Sequence, residues 1–265
     1  MKNKFIQTLS ALILPISFIV ILTILNAFPM PLLSIYGFGA ILVTGIAIFI
    51  TYLTLKKDKK SFKDIGLHLE RKTPKRFIIG FSTGLFVTTI MLAIVINFSN
   101  IELINSTNSN TPLALLWLLI FFPLAFMEEL IFRGYAFIQI NKRIGLWPAQ
   151  IVLALLFAYY HDFTGVTFFN QLLGPGIWAL IFGIAAIWSK GLAFPTGLHM
   201  AINVVLALVG EKDDKFSIWT MEYAAEVSPI LKAQAGNVGL IMQLCILAIA
   251  IILTELYRRK SLKTN

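Results

Sequence analysis

Residues 122–134 read FPLAFMEELIFRG and place Glu128, Glu129 and Arg133 inside a long apolar run. Ionisable groups are costly at membrane depth and are seldom kept there without a use. On an α-helix Glu129 and Arg133 stand four residues apart and pair along one face, whereas Glu128 points about 100° away from Glu129. A structural ion network between helices would account for the pair. It does not account for the second carboxylate.

Three histidines are present: His68 in a basic loop, and His161 and His199 in or at the ends of apolar segments. His68 reads as a solvated loop residue. His161 follows Phe157 by one helical turn, and His199 precedes Asn203 by one turn on the same face. Either histidine alone is as readily a hydrogen-bonded structural residue as a catalytic one. Two carboxylates, two imidazoles, a carboxamide and a guanidinium converging from separate segments would suit water activation and oxyanion stabilisation.

The elements that must position these groups are membrane helices. The chain has 265 residues, 58% hydrophobic and 13% charged, with a mean hydropathy of +0.82. That composition excludes a soluble domain. A helix needs about 20 apolar residues to cross the hydrocarbon core, and eight segments meet or approach this: 9–28, 32–55, 77–98, 113–140, 147–160, 177–188, 192–209 and 238–257. The fold expected is all-α, a polytopic bundle of about eight transmembrane helices. Pro29 and Pro31 mark the first turn, and Gly174-Pro175-Gly176 reads as a helix break. The fifth span either stops near His161 or continues toward Leu173 and leaves a short sixth. Three regions follow: 1–111, the first helices and a basic loop; 112–209, the polar constellation; and 210–265, an outer connection, the last helix and a basic tail.

The net charge of +9 is concentrated in short segments flanking apolar runs, chiefly 56–76, 141–143 and 258–260. Insertion topology and anionic lipid explain this pattern, and nucleic-acid binding is not supported. The segments at 99–111 and 210–234 lack this basic excess, so both termini are expected in the cytoplasm. Cys245 is the only cysteine and excludes an intramolecular disulfide. By residue count Glu128 lies nearer the cytoplasmic end of its span and His161 far from it, so their meeting would require a dipping turn or tilted helices around a cavity open to the cytoplasm.

The order Glu128-Glu129-x-x-x-Arg133, Phe157-x-x-x-His161, His199-x-x-x-Asn203 resembles the EExxxR, FxxxH and HxxxN motifs of the CPBP intramembrane proteases, a family that includes the CAAX prenyl endopeptidases and bacterial relatives in bacteriocin processing and immunity. The resemblance covers residues 112–208, with Lys190-Gly191-Leu192 and Pro195 also in its pattern. It implies a four-helix catalytic core in which Glu128 and His161 activate a water and His199 and Asn203 stabilise the oxyanion. Glu129, Arg133 and Phe157 are then supporting residues. Glu128, His161 and His199 would be the ligands if a metal such as zinc were present. The HExxH helix of zincins is absent and no second partner for either imidazole can be assigned, so metal-free chemistry is favoured.

The expected partners are the lipid bilayer and a peptide or lipidated protein C-terminus, and the expected location is a bacterial plasma membrane. Two other classes compete. A non-catalytic immunity or scaffold protein would use the same polar set structurally, and a proton-coupled transporter would use it as a relay. No pair of broken helices in matching halves supports transport.

Overall fold

A computed structural model describes residues 2–27, 37–107, 111–161, 167–212, 217–224 and 227–264. The turn expected at Pro29 and Pro31 lies outside them. The described helices are α1 (Lys2–Ala27), α2 (Phe38–Lys57), α3 (Thr73–Phe98), α4 (Thr111–Leu118), α5 (Phe121–Glu129), α6 (Phe137–Ile144), α7 (Leu146–Tyr160), α8 (Phe168–Gln171), α9 (Ile177–Ser189), α10 (Ala193–Leu208) and α11 (Pro229–Thr264). Six helical stretches are long and apolar enough to span a bilayer, and α7 and α10 are shorter apolar helices. The chain is an all-α polytopic membrane bundle. Its helices are apolar on nearly every side because one face meets protein and the other meets lipid.

Two segments depart from the expected breaks. Gly174-Pro175-Gly176 does not end a helix: residues Leu172–Gly176 form a π segment joining α8 to α9, so the sixth span runs over Phe168–Ser189. Wider helical turns let the chain pass a proline that cannot donate a backbone bond. The fifth span does stop at Tyr160, with His161 as its cap. The second departure is α11, which begins at Pro229 rather than near Val238.

The outer connections are not wholly irregular either. Strand β1 (Ile101–Asn105) pairs antiparallel with β2 (Trp219–Tyr223), Ile101 opposite Tyr223 and Asn105 opposite Trp219. Ile218 N–H donates to the Leu208 carbonyl at 3.2 Å, which ties the ribbon to the end of α10.

The basic segments gather at the other end. Arg143 donates to the Gln7 carbonyl, Tyr135 to Asp58, Trp147 to Glu255 at 3.2 Å, and Leu192 N–H to the Gly66 carbonyl at 3.4 Å. Gly145 makes the one-residue turn between α6 and α7 at that end with φ +100°, a conformation costly for residues with a Cβ.

The core packs α1 and α2 around residues 127–140 and α7, with Phe18, Phe132, Phe137 and Phe157 fully buried. Helix α10 is held differently, by backbone approach to α3. A Cβ on Gly84 would stand 2.5 Å from the Leu198 carbonyl oxygen, and one on Gly197 would stand 2.2 Å from that of Phe77. Small residues let membrane helices come this close where lipid supplies no hydrophobic drive for association.

Candidate active site

Glu128 and Glu129 end α5, where the helix widens into the π segment Leu130–Ala136. Gly134 inside it has ψ −110°, and the helix bends there. Such π segments often lie at functional sites. The bend occurs between the carboxylates and α6. His161 caps α7, and His199 sits in the second turn of α10, which α3 clamps in place.

The two carboxylates have different partners. Glu129 is fully buried; its Oε1 accepts from His199 Nδ1 at 3.0 Å and lies 3.3 Å from Arg133 Nη1. The expected Glu129–Arg133 pair therefore forms, and a histidine shares the same oxygen. Glu128 Oε2 makes no hydrogen bond. It faces His199 Nε2 at 3.6 Å and His161 Nε2 at 4.0 Å, while Oε1 lies 3.5 Å from the Tyr160 hydroxyl.

The other nitrogen of each ring fixes its tautomer. His161 Nδ1 is 2.8 Å from the Phe157 carbonyl, which can only accept, so this nitrogen carries the hydrogen. His199 Nδ1 likewise donates to Glu129. Both Nε2 atoms thus turn a lone pair toward Glu128 Oε2, and three acceptors converge on one point. A water donating into the trio, or a proton shared within it, relieves that repulsion. Charge balance points the same way: two carboxylates and one guanidinium leave one negative charge in a low-dielectric site, which one proton on the trio neutralises.

Aromatic rings complete the walls. Phe157 lies 4.6 Å from the His161 ring and 6.1 Å from His199, and the Arg133 guanidinium lies 4.2 Å from its centroid. Phe182 stacks on His199 at 4.4 Å and 18°. Cationic groups against ring faces gain electrostatic stabilisation that a purely aliphatic wall would not give.

The site therefore gathers Glu128, Glu129, Arg133, Phe157, His161 and His199. Asn203 is one turn beyond His199 and partly buried, but its carboxamide bonds to none of them. The mismatch of depth expected for Glu128 and His161 does not arise. The stretch Ala114–Ile144 is 31 residues long, and Glu128 and His161 stand at similar distances from the turn at Gly145, so no dipping turn is needed. Tyr160 and Phe182 are site residues that the motifs did not point to. Tyr160 could have been suspected from its place beside His161; nothing local marks Phe182.

Glu128, His161 and His199 are the donor types that zinc takes in hydrolases, and Glu129 and the Phe157 carbonyl supply the outer partners that the sequence left unassigned. Among the described residues, however, no group of three or more His, Cys, Asp or Glu side chains is drawn together closely enough to hold a metal ion.

Comparison with known proteins bears on the same residues. Residues 110–205, which contain the whole constellation, match the family model described as Rce1-like, type II CAAX prenyl endopeptidase. Over these residues the chain is similar to the CPBP proteases, in line with the motifs. It is also 27% identical over 180 residues to the membrane-embedded CAAX protease MroQ of Staphylococcus aureus (strain USA300), covering 61% of this chain and 68% of that one. The similarity, with the membrane helices, supports an integral membrane protein that resembles the intramembrane proteases over its central third. The family match ends three residues before α10 does; it spans the trio and leaves out α1 to α3, β1, β2 and α11.

Proposed function

We propose that the chain is an intramembrane endopeptidase that hydrolyses a peptide bond of a membrane-associated substrate, with prenylated CAAX-type C-termini and other lipidated or membrane-bound peptides as the substrate class. The observation that carries this reading is Glu128 Oε2, buried without a hydrogen bond and facing the Nε2 atoms of His199 and His161 at 3.6 and 4.0 Å. A water in that gap donates one hydrogen to Glu128 and is oriented by His161. As its oxygen bonds to the substrate carbonyl carbon, Glu128 or His161 takes the proton and the C=O pair moves onto oxygen. A proton on His199 Nε2, held in line by Glu129, and the Asn203 carboxamide, turned inward, stabilise that oxyanion. The captured proton then passes to the departing amine as the C–N bond breaks.

In this reading Arg133 and Glu129 position His199 rather than touch substrate, and the protein's own groups suffice for the chemistry. The basic segments favour both termini in the cytoplasm, and the membrane-embedded Staphylococcus relative supports a bacterial membrane, read here as the plasma membrane. The test is cleavage of a quenched peptide panel, prenylated CAAX-type members included, by detergent-purified protein beside Glu128→Ala, with and without a chelator. Cleavage lost in the variant and untouched by the chelator supports glutamate-activated water. Loss under both conditions means a metal takes part. A correctly folded protein that cuts no member favours the immunity or scaffold class.

A further inference from the structure

The side from which the site is reached can be read from how its groups are covered. Side-chain exposure rises in order through the constellation: 0% at Glu129, 2% at Arg133, 7% at His199, 11% at Glu128 and 20% at His161. The most exposed member caps the end of α7, about 22 Å along a 15-residue helix from the basic turn at Lys142 and Arg143. Beyond it, Lys212 is exposed four residues past α10 and lies within electrostatic reach of both Glu128 and His161.

Toward the basic end the site is closed. Glu129 and Arg133 are buried, and Phe132, Phe157 and Phe182 surround the guanidinium with centroids at 5.8, 4.2 and 5.2 Å. A cavity of about 510 Å³ opens among Lys63, Lys142 and Lys190, but it stops at Arg133 and Phe137. A second, apolar groove of about 380 Å³ near His68 and Arg76 reaches Thr196. Neither is lined by Glu128, His161 or His199. Of the described lysines and arginines, all but Arg133, Lys212 and Lys232 belong to segments at this closed end, and such segments stay in the cytoplasm.

We propose that substrate reaches Glu128 from the end opposite the basic segments, past Lys212 and His161, so that the chain cuts peptide segments presented at the outer face of the membrane. This deepens the protease reading, which supplies the substrate, while the direction of access rests on the packing and on the orientation set by the basic segments. It replaces the cytoplasmic opening expected from residue counts. The chemistry it selects is a translocated or exported peptide, extended at the outer interface, rather than a segment that never leaves the cytoplasm. The β1–β2 ribbon, fastened to the end of α10, lies at the same end.

The test uses the full chain with Cys245→Ser as background and a membrane-impermeant maleimide added to intact cells. Lys212→Cys and His161→Cys are expected to react from outside, and Lys142→Cys only after permeabilisation. Labelling of Lys142→Cys in intact cells, silence of Lys212→Cys there, or silence of His161→Cys beside a reactive Lys212→Cys overturns the proposal. Should His161→Cys fail to fold, a polyethylene-glycol adduct decides: on Lys212→Cys it lowers cleavage roughly tenfold or more by obstructing positioning, and on Lys142→Cys it has no effect. The reverse pattern overturns the proposal. A protein that cuts no peptide yet keeps the labelling pattern fails only as a protease.

Discussion

Glu129 Oε1 holds the Nδ1 of His199 at 3.0 Å, in a position where the carboxylate is sealed from solvent. A residue that pairs with Arg133 along its own helix thereby sets the tautomer and direction of a ring on another. Outer partners of metal-ligating histidines are worth about 10–100-fold when removed, and the same orienting role is assigned to Glu129 here. Glu129→Gln is expected to lower kcat about 10–100-fold while KM changes little, because the lost interaction orients a group that acts in the transition state. Equal loss in KM alone would place Glu129 in substrate binding instead.

Arg133 is 2% exposed, and its Nη2 has no hydrogen-bond partner. Its guanidinium is compensated by Glu129 and by ring faces. Arg133→Ala leaves Glu129 buried without its cation and is expected to cost roughly 3–5 kcal/mol, read as a lower unfolding temperature in detergent. Arg133→Lys keeps the charge but not the guanidinium over the Phe157 ring and should recover only part of that loss. Full recovery would show that charge alone matters there.

Contact between α3 and α10 gives a paired test. A methyl on Gly84 meets the Leu198 carbonyl oxygen at 2.5 Å, whereas one on Gly45 of α2 meets nothing within 4 Å. Gly84→Ala should destabilise by about 1–3 kcal/mol through forced separation of the helices. Gly45→Ala should be neutral or stabilise by up to about 1 kcal/mol through helix propensity. Thermal unfolding of both variants checks the contrast, and equal melting points would contradict the clamp on His199's helix.

The basic loop carries a pH-sensitive lock. Asp64 accepts from the Ser61 N–H at 2.7 Å and from its hydroxyl at 2.8 Å, and these bonds hold its carboxyl below the ordinary aspartate value of 3.8. Because the folded value is depressed, the lock is in place above that ordinary value and is lost as pH falls through the folded one. Pepsin cleavage at Phe62 should therefore appear only on strong acidification. Asp64→Asn should open the site at higher pH; identical profiles would remove Asp64 from the account.

Much of the site was legible in the chain because its logic is local. Glu129 and Arg133 meet by helix spacing alone, and charged groups in apolar runs announce themselves by their cost. Basic segments marked one end of the bundle for the same reason. What spacing could not reach was any relationship between helices. The stack of Phe182 on His199, the hydroxyl of Tyr160 beside Glu128 and the second hold on Glu129 each join residues from different helices. The Gly-Pro-Gly break failed because proline ends a helix only when neighbours cannot accommodate a wider turn.

By itself, then, the sequence determined that the chain is a membrane bundle, which residues are too costly to be incidental, and how Glu129 and Arg133 pair, since composition and helical period act within one segment. Only the tertiary structure decided that both imidazoles turn Nε2 toward Glu128, that the Asn203 carboxamide makes no hydrogen bond to the other site residues, and that Phe132, Phe157 and Phe182 surround the Arg133 guanidinium. Those outcomes depend on which helix faces meet and at what depth. Close packing of α3 on α10 and the bend at Gly134 set both, and neither is encoded by the spacing within any single span.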